Sequence, residues 1–248
     1  MQLASVDGAI GPAEEARIPI TDEGLTRGDG AFEVARLYGG RPFAIEEHYE
    51  RLGHTCAGLR LEADLDALRA EVDALLEAAG PVEALLRVIL TRGGRRILTI
   101  EPLPHRPPSA RVATVTYAPT RVLDGLKTLS YGANMLAGRL ARERGFDEAL
   151  LVTPHGRVLE GPTWTFFWVR GGTLLTPPLE DRILASITRA RVIEARMWSD
   201  SGGVRTTPSR TQKKDDVGPS STRPCGVTSR ASSKPRSRAI RVHSMLAA

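Results

Sequence analysis

The apolar spacing that a packed core requires runs through the first 197 residues of this chain and then stops. Beyond Met197 the sequence is dense in Ser, Thr, Arg, Pro and Gly, and it holds no acid after Asp216. Such a stretch cannot bury enough apolar surface to offset the entropy of ordering it. Folding therefore rests on residues 1–198, a length that suits one large α/β unit or two smaller ones.

Within that region the periodicities alternate. Leu61, Leu65, Leu68, Val72, Leu75 and Leu76 recur at helical spacing and stop before Gly80-Pro81, which predicts an amphipathic helix of about four turns. Strand-like runs surround it at Phe32–Leu37, Val88–Thr91 and Val112–Tyr117. Pro102, Pro104, Pro107 and Pro108 form a rigid break, and Ala118-Pro119 ends the third run, so the chain divides near residues 118–125. The expected organisation is an N-terminal domain at 1–118, an interdomain loop at 119–125, a second domain at 126–198 and a basic tail of low order at 199–248. In the second domain Tyr131–Arg144 reads as a helix, Ala149–Thr153 and Val158–Glu160 as strands, and Phe166–Val169 with Thr173–Leu175 as a hairpin through Gly171-Gly172. Ile183–Met197 reads as a last helix. Strands and helices that mix without strict βαβ alternation indicate an α+β fold.

Charge and composition exclude several classes. From Ser199 onward ten Lys or Arg face three acids, while the whole chain carries +5, so residues 1–198 are slightly acidic and present no nucleic-acid footprint. No run of about 18 apolar residues and no signal-peptide pattern is present, so a membrane span is not expected and the cytoplasm is the default location. Cys56 and Cys225 match neither a disulfide framework nor a metal-ligand spacing. The cationic side chains are almost all arginine, and Lys127 is the only lysine before Lys213. An amine can lose its proton and attack a carbonyl, whereas a guanidinium stays charged, so this isolated lysine is a candidate for covalent chemistry.

The stretch Ile20-Thr-Asp-Glu-Gly-Leu-Thr-Arg-Gly-Asp-Gly-Ala-Phe-Glu33 is followed by His48-Tyr-Glu-Arg-Leu52, Lys127, Gly145-Phe-Asp-Glu-Ala-Leu150, Leu159-Glu-Gly161, Leu175-Thr-Pro177 and Ile187-Thr-Arg189. In order and approximate spacing this series resembles the class IV aminotransferase family, which comprises the fold type IV pyridoxal 5'-phosphate (PLP) enzymes: branched-chain aminotransferases, D-amino acid aminotransferases and 4-amino-4-deoxychorismate lyases. The resemblance implies a two-domain fold type IV architecture whose C-terminal portion is truncated or aberrant here, and a homodimer. It implies that Lys127 holds PLP as a Schiff base and then carries a proton, that Glu160 partners the pyridine nitrogen, and that Arg51 grips the phosphate together with Ile187 and Thr188 at a helix start. Tyr131 is implied beside the cofactor's phenolic oxygen, although it follows Lys127 by four residues where the branched-chain enzymes have five. Phe32, Arg95 and Arg96 are the implied substrate contacts, the arginines through a Thr-Arg-Gly segment whose later arginine can bind a carboxylate. Thr165 stands where the family commonly has Asn, Ser186 where it has Gly, and the Arg-x-His pair of the D-amino acid enzymes is absent.

The tail departs most. The family's continuation, with an Asp-Glu-Ala-Phe segment and a second phosphate loop, is missing after residue 198. Thr222-Arg223-Pro224, if encoded ACG-AGG-CCN after a G, reads one base earlier as GAC-GAG-GCC, or Asp-Glu-Ala, which points to a frame change between about Ser199 and Ser221; a native basic tail that binds an acidic partner is the competing reading. Three functional expectations follow: a transaminase acting between an L-amino acid and a 2-oxo acid, a 4-amino-4-deoxychorismate lyase releasing 4-aminobenzoate and pyruvate, or an inactive remnant or basic-tailed binding protein. Lys127-Thr-Leu-Ser130 is closer to the Lys-x-Leu-Asn pattern of the lyases and D-amino acid enzymes than to that of the branched-chain enzymes.

Overall fold

The computed structural model describes residues 2–105, 107–197, 204–206, 240–243 and 246–247, with side chains described up to 195. The chain opens with a hairpin of β1 (Leu3–Val6) and β2 (Ala9–Pro12). Helix α1 (Glu23–Arg27) follows, begun by the Asp22 side chain accepting from the Gly24 N–H and ended by Gly28 in the left-handed region. Then come β3 (Gly30–Tyr38), β4 (Arg41–Pro42), helices α2 (Ile45–Leu59) and α3 (Leu65–Ala79), and strands β5 (Ala84–Thr91) and β6 (Arg96–Pro102). The six strands form one antiparallel sheet in the order β2-β1-β6-β5-β3-β4.

Alternation along these strands makes two unlike faces. Ala31 and Leu37 of β3, Leu86, Val88 and Leu90 of β5, and Leu98 and Ile100 of β6 face the helices, where Tyr49, Leu52 and Cys56 of α2 and Leu68, Val72 and Leu75 of α3 complete a core. Each fully buried leucine in it contributes about 1.5–3 kcal/mol. Phe32, Val34, Leu85 and Arg87 stand on the opposite face. The expected helix over residues 61–76 begins later, at Leu65, because the Asp64 carboxylate accepts from the Ala67 N–H at 2.9 Å and fixes the start; Leu61 is buried but lies before it.

The second sheet begins with β7 (Ser109–Thr116), which runs parallel to β8 (Glu148–Val152) and is joined to it through α4 (Gly132–Glu143). Ala113, Val115, Ala149 and Leu151 pack on Ala137 and Ala141 of the helix, with Leu159 and Ile183. Val112, Leu150 and Val152 pack on the other side against Val158, Trp164 and Phe166. Because β7 belongs to this sheet, sheet membership changes in the proline-rich stretch 103–108. Short strands β9 (Trp164–Thr165), β10 (Trp168–Arg170) and β11 (Thr173–Thr176) lead to α5 (Ile187–Met197).

In the stretch expected to be a basic tail of low order, the described residues form three short strands. β12 (Val204–Thr206) pairs parallel to β11, β13 (Ile240–His243) antiparallel to β7, and β14 (Leu246–Ala247) antiparallel to β9. Most of the window for the expected frame change lies outside the described residues. Among the described residues no helix is long and apolar enough to cross a membrane.

Gly30 joins the two parts. The Leu129 N–H donates to its carbonyl at 2.9 Å, and a Cβ on Gly30 would lie 2.3 Å from the Leu90 carbonyl oxygen and 2.7 Å from Leu129 Cδ1. Gly30→Ala must therefore push apart backbone as well as side chain, and a loss of about 1–3 kcal/mol is expected from such overpacking. Urea unfolding checks this, and a midpoint equal to that of the unaltered protein would contradict it.

Candidate active site

Lys127 is held by its backbone before its side chain does anything. Its N–H donates to Thr55 Oγ1 at 3.2 Å, its carbonyl accepts from the Phe32 N–H at 3.1 Å, and Thr128 bridges to Ala31. The residue is 4% exposed, and Nζ lies 4.4 Å from the Phe32 ring centroid and 5.9 Å from that of Tyr131. The two rings meet edge to face at 5.1 Å. Burial lowers the Lys127 pKa to about 8; Glu33 and Glu160 oppose the shift, while Arg51 and Arg87 add to it. A nucleophilic amine is thus available near neutrality.

Glu160 is placed by the turn that follows β8, with the Leu151 N–H donating to its carbonyl. Burial raises its carboxyl pKa to about 7, against the Leu184 N–H, which donates to Oε1 at 3.4 Å, and the charge of Lys127. Tyr131 immediately precedes α4. Burial, reinforced by Glu160, pushes its hydroxyl well above the ordinary phenol range, so it stays protonated as a donor.

Arg51 of α2 extends across the sheet edge. Its Nε and one terminal nitrogen each donate to Glu33 at 2.7 Å, and the other terminal nitrogen donates to the Ala185 carbonyl at 3.1 Å. The consecutive residues Leu184 and Ala185 therefore touch Glu160 and Arg51 respectively. The last helix begins at Ile187, not at Ile183 as the apolar spacing predicts. Ser186 fixes the start by accepting from the Arg189 N–H through its hydroxyl at 3.1 Å, while Ile183 packs into the second core. Ile187 and Thr188 are consequently in the first turn of the helix, at its electropositive end. The Ser186 hydroxyl oxygen caps the helix and keeps its own O–H as a donor.

Lys127 opens onto a cavity of about 390 Å³ lined by Phe32, Val34, Leu85, Arg87, Met135 and Thr163 among others. Arg95 and Arg96, the expected substrate contacts, are not among the residues that line it. Arg96 pairs across the sheet with Leu90, so its side chain lies on the helix-facing side, where it meets Glu71 at 2.8 Å. Arg95 follows the Gly93-Gly94 turn and meets Asp7 at 2.6 Å. Both border a separate groove with Glu62 and Asp64. Arg87, which sequence reasoning missed, lines the cavity together with Lys127, and Glu101 holds it at 2.6 and 2.9 Å. The signal lay in the alternation of Ala84–Thr91, which sets Arg87 opposite in face to Leu86, Val88 and Leu90. Thr165, at the position of the expected Asn, is buried, and its hydroxyl has no hydrogen-bond partner among the described residues.

Compared with known proteins, residues 30–230 match the sequence profile of the amino-transferase class IV family. The chain belongs to that family. A Methanocaldococcus jannaschii protein, named as a candidate branched-chain-amino-acid aminotransferase, is 31% identical over 76% of this chain and 73% of its own length. The bifunctional aminodeoxychorismate lyase / D-amino acid transaminase of Mycobacterium tuberculosis is 30% identical over 77% of each. The solved structure of a fold IV transaminase from Curtobacterium pusillum superposes with a TM-score of 0.76 at 28% identity, covering 84% of this chain and 83% of the other. This class IV aminotransferase is accordingly a PLP-dependent transaminase or lyase of fold type IV.

The site's donor set suits PLP. A buried amine of lowered pKa matches its aldehyde, a buried carboxyl its pyridine nitrogen, and a guanidinium beside a helix start its phosphate.

Proposed function

We propose that this enzyme moves an amino group between an L-amino acid with an apolar side chain, a branched-chain one above all, and a 2-oxo acid, acting in the cytoplasm as a homodimer. The observation that carries this reading is the composition of the cavity beside Lys127. Arg87 offers one guanidinium for one carboxylate, while Val34, Leu85, Pro104, Leu129 and Met135 offer an apolar remainder. The exposed Leu136 and Leu140 of α4 support the homodimer.

Bound PLP supplies an electron sink that acidifies the substrate α-carbon. In this reading Lys127 Nζ binds the cofactor and then moves the proton from that carbon. Glu160 keeps the ring nitrogen protonated, and its raised pKa means that at neutrality it still has a proton to share. Arg51, Ile187 and Thr188 hold the phosphate, and Tyr131 donates from beside Phe32. Arg87 orients the substrate carboxylate.

An assay with L-leucine and 2-oxoglutarate tests the proposal, with glutamate as the expected product. Arg87→Gln is expected to raise KM for amino acid and oxo acid about tenfold or more, the scale of a lost hydrogen bond to a charged group. Release of 4-aminobenzoate from 4-amino-4-deoxychorismate without an oxo acid, and no glutamate from leucine, would replace the transaminase with the lyase.

A further inference from the structure

Glu33 occupies a position where the strand pattern calls for an apolar residue. It lies in the helix-facing row of β3, between Ala31 and Ala35, and is 2% exposed. Burying a carboxylate there is unfavourable unless it is paired and fully hydrogen-bonded. Its partners come from one face of α2. His48 Nδ1 lies 2.8 Å from one oxygen, and Arg51, three residues on, makes a forked contact at 2.7 Å to each oxygen. Both partners are themselves largely buried. A buried ion pair of this kind is seldom better for stability than a well-packed hydrophobe, so stability alone gives little reason for it.

What the pairing does is aim Arg51. The fork fixes the guanidinium plane, and His48 engages the same carboxylate oxygen, Oε2, as one Arg51 nitrogen, so the free edge of Arg51 is directed at Ala185, two residues before α5 begins. We propose that Glu33, braced by His48, is a positioning residue that holds Arg51 against the start of α5, so that guanidinium and helix terminus take the cofactor's phosphate as one preformed site. This rests on the reading of Arg51 as a phosphate ligand. The arrangement saves Arg51 the rotamer entropy that a free side chain loses on binding an anion.

The test compares PLP with pyridoxal, which lacks the phosphate, in absorbance titrations of the cofactor-free protein. Glu33→Gln is expected to weaken PLP binding about tenfold or more, to leave pyridoxal binding unchanged, and to add nothing further in a protein that already carries Arg51→Gln. If Arg51→Gln abolishes the preference for PLP while Glu33→Gln keeps it, the Glu33 proposal fails and the reading of Arg51 stands. If Arg51→Gln itself keeps the preference, that reading fails and takes the proposal with it. Equal loss of PLP and pyridoxal would make Glu33 merely structural and overturn the proposal. Glu33→Asp, which retains the charge but shortens the reach, carries the same comparison should Glu33→Gln fold poorly, with a smaller loss of the PLP preference expected and an unchanged preference counting against the proposal.

Discussion

Lys127→Ala is expected to abolish turnover while leaving the fold intact. The amine is both the covalent anchor and the proton carrier in the proposed mechanism, and a positioned proton carrier alone is worth about 10²–10⁴-fold in rate, so loss at or beyond the upper end of that range follows. The fold is spared because the substitution removes a charge from a site where burial disfavours charge, and the main-chain bonds to Thr55 and Phe32 need no side chain. Borohydride reduction of the PLP-loaded protein should fix one cofactor mass on Lys127, and peptide mapping separates this from Lys213, Lys214 and Lys234. Mass on any of those three, or turnover surviving the substitution, would sink the assignment. The pH dependence has a definite sign. Burial brings the pKa down from 10.5 to about 8, so the neutral, nucleophilic fraction grows with pH up to that point and saturates above it. The rate of PLP capture by the cofactor-free protein should climb and then level accordingly, and a profile flat across that point contradicts the reading.

Glu160→Gln is the second large effect. The amide oxygen can still accept from the Leu184 N–H, so the local contact survives while the negative charge does not. Without that charge the ring nitrogen has no carboxylate to keep it protonated. Turnover should fall on the order of 10²–10³-fold, the scale for removing one preorganised electrostatic partner, with PLP still bound and KM for the amino acid little changed. Turnover equal to that of the unaltered protein would remove Glu160 from the mechanism.

Chemical identity was legible in the sequence where geometry was not. Lys127 stood out because an amine among arginines is a chemical anomaly. The surroundings of Arg95 and Arg96 were not legible because nearness in sequence says nothing about which face of a hairpin a side chain takes. Arg87 was passed over for the same reason, since its meaning depends on pairing with Val34 across the strand. The start of α5 was read too early because Ile183 fits helical spacing, yet it serves a different core; the decisive local signal was the Ser186 cap. Which sheet β7 joins is a long-range choice that the prolines before it mark but do not determine.

The tethering of Lys127 at both its N–H and its carbonyl has a stereochemical outcome. Only the side chain can swing, so in the proposed mechanism the amine would approach a flat substrate carbon from one side and deliver its proton to one face. In the proposed reaction the handedness of the product then follows from how the cavity seats the substrate's carboxylate and side chain against that one face.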